Sequence, residues 1–297
     1  MAGPSPRSRL PALAAAAVLA GCYARPLGRL IRFTADHELY SYILLVPVIS
    51  AFMVWSRRTE FAPAGRPDRP TACALAGIGV ALAAAALRLG ADPAGQLDAL
   101  IVSVLSFVAL LGALSAWFLG RVLVRDLAYP LAFLVLMAPF PEQFSVGLEH
   151  TLQHASASVA NVFLELVGTP VFSPADLVLQ VPGITLEVAP ECSGLRSSVA
   201  LFVVSLPAGY VFLNSPWSRL VLALAVLPLG IVRNALRIFT IAELCVHVGP
   251  QMIDSYIHRK GGWIFFLASL VPLFLLIFGL MRWEQRRKRP PSPPQHA

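Results

Sequence analysis

The chain has 297 residues, of which 57% are hydrophobic and only 13% are charged, and this composition excludes an ordinary soluble globular protein. The formal net charge of +7 does not indicate a nucleic-acid-binding protein, because the arginines lie between and after long apolar runs instead of forming one basic face. The sequence therefore predicts a membrane protein.

Apolar stretches long enough to cross a bilayer recur along almost the whole chain. A transmembrane helix needs roughly 20 residues to cross about 30 Å of hydrocarbon, and on this basis we predict about eight spans. They are predicted at residues 8–24, 38–56, 71–89, 97–119, 126–141, 195–213, 218–246 and 262–282. The first stretch also fits a secretory signal, but further spans follow at once, so we predict an uncleaved helix. The predicted fold class is an all-α polytopic membrane protein.

Clusters of arginine and lysine predict the orientation of the spans, because cytoplasmic loops carry the excess of both residues. Such clusters follow the second, fourth and eighth spans, which places residues 142–194 and the loop of His258 on the extracytoplasmic side. Arg25, Arg29 and Arg32 fall on that side too, against the rule. We expect a multi-pass protein of the cytoplasmic (inner) membrane.

Residues 145–168 form a helical pattern that polar side chains interrupt. Glu149, His150, Gln153 and His154 would be costly to expose to lipid, so we predict an amphipathic helix in the outer leaflet. If this helix spanned instead, the parity of the spans would break, and Cys192 would lie on the opposite side of the membrane from the loop of His258. The two histidines have the spacing of a helical metal pair but lack the metalloprotease pattern, and we expect no metal site.

Two short strands are predicted directly after this helix. LVLQV and ITLEV alternate in polarity on either side of Pro182-Gly183, which favours a small extracytoplasmic β-hairpin. The hairpin ends at Cys192, where the next span begins. At the other end of the chain, the proline-rich residues 290–297 are predicted to be a disordered cytoplasmic tail, which leaves residues 1–289 as one membrane domain.

Cys192 is the strongest candidate nucleophile. A thiol at the start of a helix tends to have a lowered pKa, and only the thiolate is a good nucleophile. Ser193 can cap the helix, Gly194 permits close approach of a substrate backbone, and Arg196 adds positive charge one turn later. The position alone leaves open a structural cysteine, for example one in a disulfide with Cys245.

The seventh predicted span contains Arg233, Asn234 and Arg237. An arginine within a bilayer is a candidate functional residue, because its charge must be paired or hydrated. At about 1.5 Å per residue, Arg237 reaches the outer surface, where its guanidinium could bind an oxyanion or a substrate carboxylate. The alternative is that the arginines extend to lipid headgroups, and this alternative is stronger for Arg233 than for Arg237. Asn234 is expected to support the site.

His258 is the candidate acid and base. It precedes the last span on the expected outer side, and an imidazole can accept a thiol proton and later protonate a leaving amine. His247, beyond Glu243, is the competing candidate. Cys192, Arg237 and His258 come from three helix ends that the predicted topology brings to one surface.

Several of these segments together resemble the exosortase/archaeosortase family. The resemblance covers YSYILLVPVISAFMVW, PLAFLVLMAPFPE, LQHASASVANVFLELVGTPVF, ITLEVAPECSGLRSS, NALRI and HRKGGW, in this order. It implies a Cys/Arg/His site at Cys192, Arg237 and His258 without a cofactor. Two positions depart from the family pattern. Tyr42-Ile43 stands where His-Gly is common, and Glu191 stands where a small residue is common.

The resemblance also implies the activity and the partners. A cysteine protease or transpeptidase of this kind processes exported proteins whose C-terminal sorting signal has a Pro-Glu-Pro-like motif, a transmembrane helix and a basic cluster. Membrane lipids are the other expected partner, and no nucleic acid is expected. The alternative function is a transporter of a lipid-linked or anionic substrate, with Arg233, Arg237 and Glu243 along its pathway.

Overall fold

The computed structural model describes residues 6–61, 65–175, 177–189, 193–254 and 261–288. Cys192, Glu191, His258 and the predicted tail of residues 290–297 lie outside the described residues. Within them the chain is an all-α polytopic membrane protein with one small sheet, which confirms the predicted fold class. The chain divides into two compact units, Met1–Glu142 and Gln143–Ala297.

Five α-helices and three 3₁₀ segments form the described part of the first unit. The α-helices are α1 (Pro6–Cys22), α2 (Ala24–Asp36), α3 (Val46–Ser56), α4 (Arg69–Leu89) and α5 (Gln96–Phe133). The 3₁₀ segments are Glu38–Leu45, Pro93–Gly95 and Leu134–Met137. Asp68 caps α4 by accepting hydrogen bonds from Thr71 N–H and Oγ1 at 3.4 and 2.9 Å, which satisfies a donor that helix geometry leaves without a partner.

Within the described residues, six helical segments are long and apolar enough to cross a membrane. They are Glu38–Ser56, Arg69–Leu89, Pro93–Met137, Leu195–Phe212, Pro216–His247 and Gly262–Arg287. The expected span at 97–119 falls within Pro93–Met137, and the expected span at 126–141 begins within it and ends four residues beyond it. This segment has 45 residues, about twice what one crossing requires, and Gly120 divides it with non-helical backbone at φ 79° and ψ 169°.

The N-terminal region differs from the sequence prediction in two respects. The expected span at residues 8–24 corresponds to α1, but α1 is not among the six candidate spans of the described residues. The arginines after it lie in a second helix, α2, instead of a loop. The hydroxyls of Tyr23 and Ser106 lie 2.5 Å apart, which ties the junction of α1 and α2 to α5. Ser106 also donates to the Gly79 carbonyl over 2.6 Å, where α4 and α5 pack closely.

The second unit contains four α-helices and the sheet within its described residues. The helices are α6 (Glu142–Val167), which begins at the boundary, α7 (Leu195–Phe212), α8 (Pro216–His247) and α9 (Gly262–Lys288), with a 3₁₀ segment at Pro250–Asp254. The helix predicted at 145–168 is therefore present as α6, and it is not among the six candidate spans. Leu201, Leu222 and Leu273 belong to a buried cluster that joins α7, α8 and α9.

The sheet is antiparallel with the order β1-β2-β3, formed by Phe172–Ala175, Val178–Val181 and Ile184–Glu187. β2 and β3 are the predicted hairpin, and Val181 pairs with Ile184 across Pro182-Gly183. Gly183 has a φ of 87°, as the second of the two central residues of a type II turn requires. β1 was not predicted, because it contains Pro174, which strands tolerate at a sheet edge. The buried face of the hairpin packs against α6 and α8.

Candidate functional site

The start of α7 is held in place directly after Cys192. Ser193 is buried, and its Oγ accepts a hydrogen bond from the Leu195 N–H at 3.3 Å and donates to Glu149 Oε1 at 3.4 Å. The serine therefore binds the N–H of the first helical residue, but the N-cap residue of α7 is Gly194, so Ser193 is not the cap that the sequence suggests. Its second bond reaches α6, so a carboxylate of another helix fixes the residue that follows the candidate nucleophile.

The backbone conformation at position 194 and the side chain packed against it both require glycine there. Its φ of 75° is left-handed, a region that residues with a Cβ rarely adopt. A Cβ at this position would also lie 2.8 Å from Cγ and 3.0 Å from Cβ of Asn234. The sequence suggested that this glycine makes room for a substrate. In the structure, the Asn234 side chain occupies the space beside it.

Arg233 joins α8 to the beginning of α7. The residue is only 5% exposed, and its Nη2 donates to the Gly194 carbonyl at 3.1 Å and to Ser198 Oγ at 3.4 Å. Nη1 has no hydrogen-bond partner among the described residues. A guanidinium buried in this way is retained only where its hydrogen bonds offset desolvation. Arg233 does not extend to headgroups and instead holds the backbone next to Cys192.

Arg237 lies one turn further along α8 and lines a cavity. The cavity has a volume of about 100 Å³ and is lined by residues 186–189 at the end of β3 and by Asn234, Arg237 and Ile241 of α8, among others. The side chain of Arg237 is half-buried. The cavity therefore places Arg237 beside Val188 and Ala189, the last described residues before Cys192. The convergence of Arg237 with Cys192 and His258 stays a prediction, because those two residues lie outside the described residues.

Two residues of α6 bind the chain on either side of Cys192, a role that the sequence did not predict for them. Gln153 donates from Nε2 to the Val188 carbonyl, before Cys192 in the chain. Glu149, one turn earlier on α6, contacts Ser193 after it. Their four-residue spacing on α6 is the signal that could have found them, since residues four apart share one helix face.

The remaining candidates lie apart from this cavity. Arg196 is exposed in the first turn of α7. His247 pairs with Glu243, their Nε2 and Oε2 atoms being 3.0 Å apart, and the other oxygen of Glu243 accepts from Thr169 Oγ1 at 2.5 Å. The histidine that competed with His258 thus belongs to a local network at the end of α8.

The alternative pairing of Cys192 with Cys245 is not supported. Cys245 is buried in α8 and carries a free thiol. His150 and His154 contact each other at the exposed surface of α6, with their rings tilted and their Nε2 atoms 2.9 Å apart. In the described part of the chain, no group of three or more His, Cys, Asp or Glu residues is placed to hold a metal ion.

Comparison with known proteins gives one match. The sequence model of the transmembrane exosortase family matches residues 33–291, which is most of the chain. The matched range includes every element of the site described above. No curated protein and no solved structure gives a significant match.

Proposed function

Because the chain belongs to the transmembrane exosortase family, we propose that it is a cysteine protease or transpeptidase of the cytoplasmic membrane. Its substrates are exported proteins with a C-terminal sorting signal, which it cleaves at the extracytoplasmic face. Cys192 is the nucleophile, His258 is the acid and base, and Arg237 binds developing or existing negative charge. The signal itself has a Pro-Glu-Pro-like motif, a transmembrane helix and a basic cluster.

The observation that carries the proposal is the cavity between β3 and α8. Arg237 lines this cavity together with Val188 and Ala189, the last described residues before Cys192. A forked guanidinium at this point can bind a carboxylate of the signal or the oxyanion of a tetrahedral intermediate. Other side chains fix the backbone on each side of Cys192, since Gln153 binds Val188 and Arg233 binds Gly194.

The reaction proceeds by acyl transfer. The Cys192 thiolate attacks the scissile carbonyl carbon, and the proton from the thiol goes to His258. The C–N bond then breaks as His258 protonates the leaving amine, which leaves the substrate as a thioester on Cys192. An acceptor nucleophile or water attacks the thioester and restores the thiol. The position of Cys192 just before α7 favours the thiolate, because the N-terminus of a helix stabilises negative charge.

Among the described residues, no strand pairs with the edge of β3 opposite β2, and this edge offers the substrate a backbone anchor. The Val188 N–H donates to the Leu177 carbonyl at 2.9 Å, towards β2. Because such groups alternate in an antiparallel pair, the backbone N–H and C=O groups of Thr185 and Glu187 face away from β2. An extended segment that adds to this edge runs beside the cavity of Arg237, so main-chain hydrogen bonds supply affinity and the guanidinium supplies selectivity.

The test is processing of a tagged substrate that carries a sorting signal from the same cell. Cys192→Ser, Arg237→Ala and His258→Ala should abolish cleavage, while the matched variants Cys245→Ser, Arg196→Ala and His247→Ala should retain it. Immunoblots of membranes give both the processed fraction and the enzyme level. Cleavage by Cys192→Ser would eliminate the thiol mechanism and would make transport of an anionic or lipid-linked substrate the function to test.

A second measurement tests the side of the membrane. In a chain whose Cys22, Cys73 and Cys245 are replaced by serine, a membrane-impermeant maleimide should label Cys192 in spheroplasts. Labelling only after the membrane is permeabilised would place the nucleophile in the cytoplasm and would overturn the proposed orientation.

A further inference from the structure

The first unit contains a large groove that the proposed reaction does not use. It has a volume of about 980 Å³ and lies between the junction of α1 and α2, the end of α4 and the start of α5. All of its lining residues fall between Cys22 and Ser103. Its formation therefore depends on the first unit alone, and an inference about it does not depend on the assignment of Cys192.

The groove has a cationic end and an apolar wall. Arg25 and Arg29 are the charged residues among those that line it, and no carboxylate accompanies them. Neither arginine has an ion-pair partner among the described residues. The opposite wall consists largely of small and aliphatic side chains, including Ala83, Leu87 and Leu100. The groove is thus amphipathic, with positive charge at one end only.

These arginines also break the charge rule that orients the other spans. They fall on the side expected to be extracytoplasmic, where arginine is not enriched. Arg25 and Arg29 are four residues apart in α2 and therefore share a helix face. Both residues line the same groove, which gives a reason for their presence on this side. Arg32 lies on the same helix, is exposed and does not line the groove.

We propose that this groove binds an anionic phospholipid of the membrane, with its phosphate held by Arg25 and Arg29 and an acyl chain along α4 and α5. Guanidinium groups bind phosphate through paired charge-assisted hydrogen bonds, and basic pockets between membrane helices are a known way to hold lipid headgroups. The volume exceeds what an inorganic ion needs, since a water molecule in the liquid occupies about 30 Å³. The continuous aliphatic wall fits an acyl chain.

The experiment compares lipid binding by the full-length protein and its variants in detergent. Native mass spectrometry with dioleoylphosphatidylglycerol should show one tightly retained lipid, with at least fivefold preference over dioleoylphosphatidylcholine of the same acyl chains. Arg25→Gln/Arg29→Gln should lose that preference, and Arg32→Gln, which removes one positive charge from the same helix, should keep it. If the double variant cannot be purified, Arg29→Gln alone should show a smaller loss.

Three results of the lipid-binding experiment would overturn the proposal. These are equal binding of the two lipids by the wild type, an unchanged preference in the double variant, and an equal loss of preference in Arg32→Gln. Thermal unfolding with sodium phosphate distinguishes a lipid from a soluble anion. Phosphate alone should not raise the melting temperature as phosphatidylglycerol does. An equal rise would identify the ligand as a soluble anion and would also overturn the proposal.

Discussion

The guanidinium of Arg233, on α8, donates to the carbonyl of Gly194, two residues after Cys192, over 3.1 Å. The same Nη2 lies 3.4 Å from Ser198 Oγ in the next turn of α7. Both contacts are buried, so little water is available to replace them. The start of α7 is therefore positioned by α8, and we expect Arg233 to position the candidate nucleophile through the backbone.

Replacing Arg233 should separate positioning from chemistry. A buried hydrogen bond to a charged group is worth about 1.5–3 kcal/mol, so Arg233→Gln should lower the rate of processing by roughly tenfold or more. Arg233→Lys keeps the positive charge but loses the planar, forked donors of the guanidinium, and its rate should be intermediate. The matched control is Arg121→Gln, at an exposed position of α5. Rates are compared at equal enzyme levels, and a wild-type rate for Arg233→Gln would contradict the positioning role.

The sequence predicted the local features of this site better than its long-range contacts. The hairpin follows from alternating polarity and from Pro182-Gly183. The arginines within the membrane were recognised as candidates because a charged side chain is energetically costly in lipid. The sequence favoured headgroup contact for Arg233, because its partner Gly194 is 39 residues away in the chain. Periodicity does not reveal such a tertiary contact. For the same reason, Glu149 was identified as a polar interruption of α6 but not as a partner of Ser193.

Gly194→Ala should be more damaging than a glycine substitution that introduces only backbone strain. Gly168 is the matched control, because its φ of 87° is also left-handed but an added Cβ would meet no atom within 4 Å. Left-handed backbone costs a residue with a Cβ about 1–2 kcal/mol, and both alanine variants should lose this much stability. Gly194→Ala must also displace Asn234, so it should unfold at the lower temperature and process substrate more slowly. Equal melting temperatures and equal rates for the two variants would contradict the close packing.

Gln153 should control the order of the hairpin. Gln153→Leu removes the donor to the Val188 carbonyl, and a buried polar group left without a partner costs about 1–3 kcal/mol. Amide hydrogen exchange of β3 should therefore become faster, and processing should fall. Gln180→Leu, on the exposed side of β2, is the control and should change neither. Unchanged exchange in β3 of Gln153→Leu would show that the hairpin is held by its apolar face alone.

Glu284 should contribute to the stability of the fold and not to the reaction. It is 7% exposed near the end of α9, and its two carboxylate oxygens accept hydrogen bonds from the backbone N–H groups of Asn214 and Ser215 at 3.0 and 2.9 Å. These donors lie at the N-terminus of α8, where negative charge is favoured. Glu284→Gln removes that charge and turns an NH₂ group towards one of the two N–H donors.

We expect Glu284→Gln to lower the free energy of unfolding by about 1–3 kcal/mol, since charge-assisted hydrogen bonds are the stronger class. The control is Glu60→Gln, because the side chain of Glu60 is 66% exposed and lies 3.8 Å from Arg57. Exposed pairs of this kind contribute about 0–1 kcal/mol. Below its melting temperature, the Glu284 variant should process substrate at nearly the wild-type rate, because α8 remains folded and Arg237 keeps its place. A large loss of rate without a change in melting temperature would instead give Glu284 a role in the reaction.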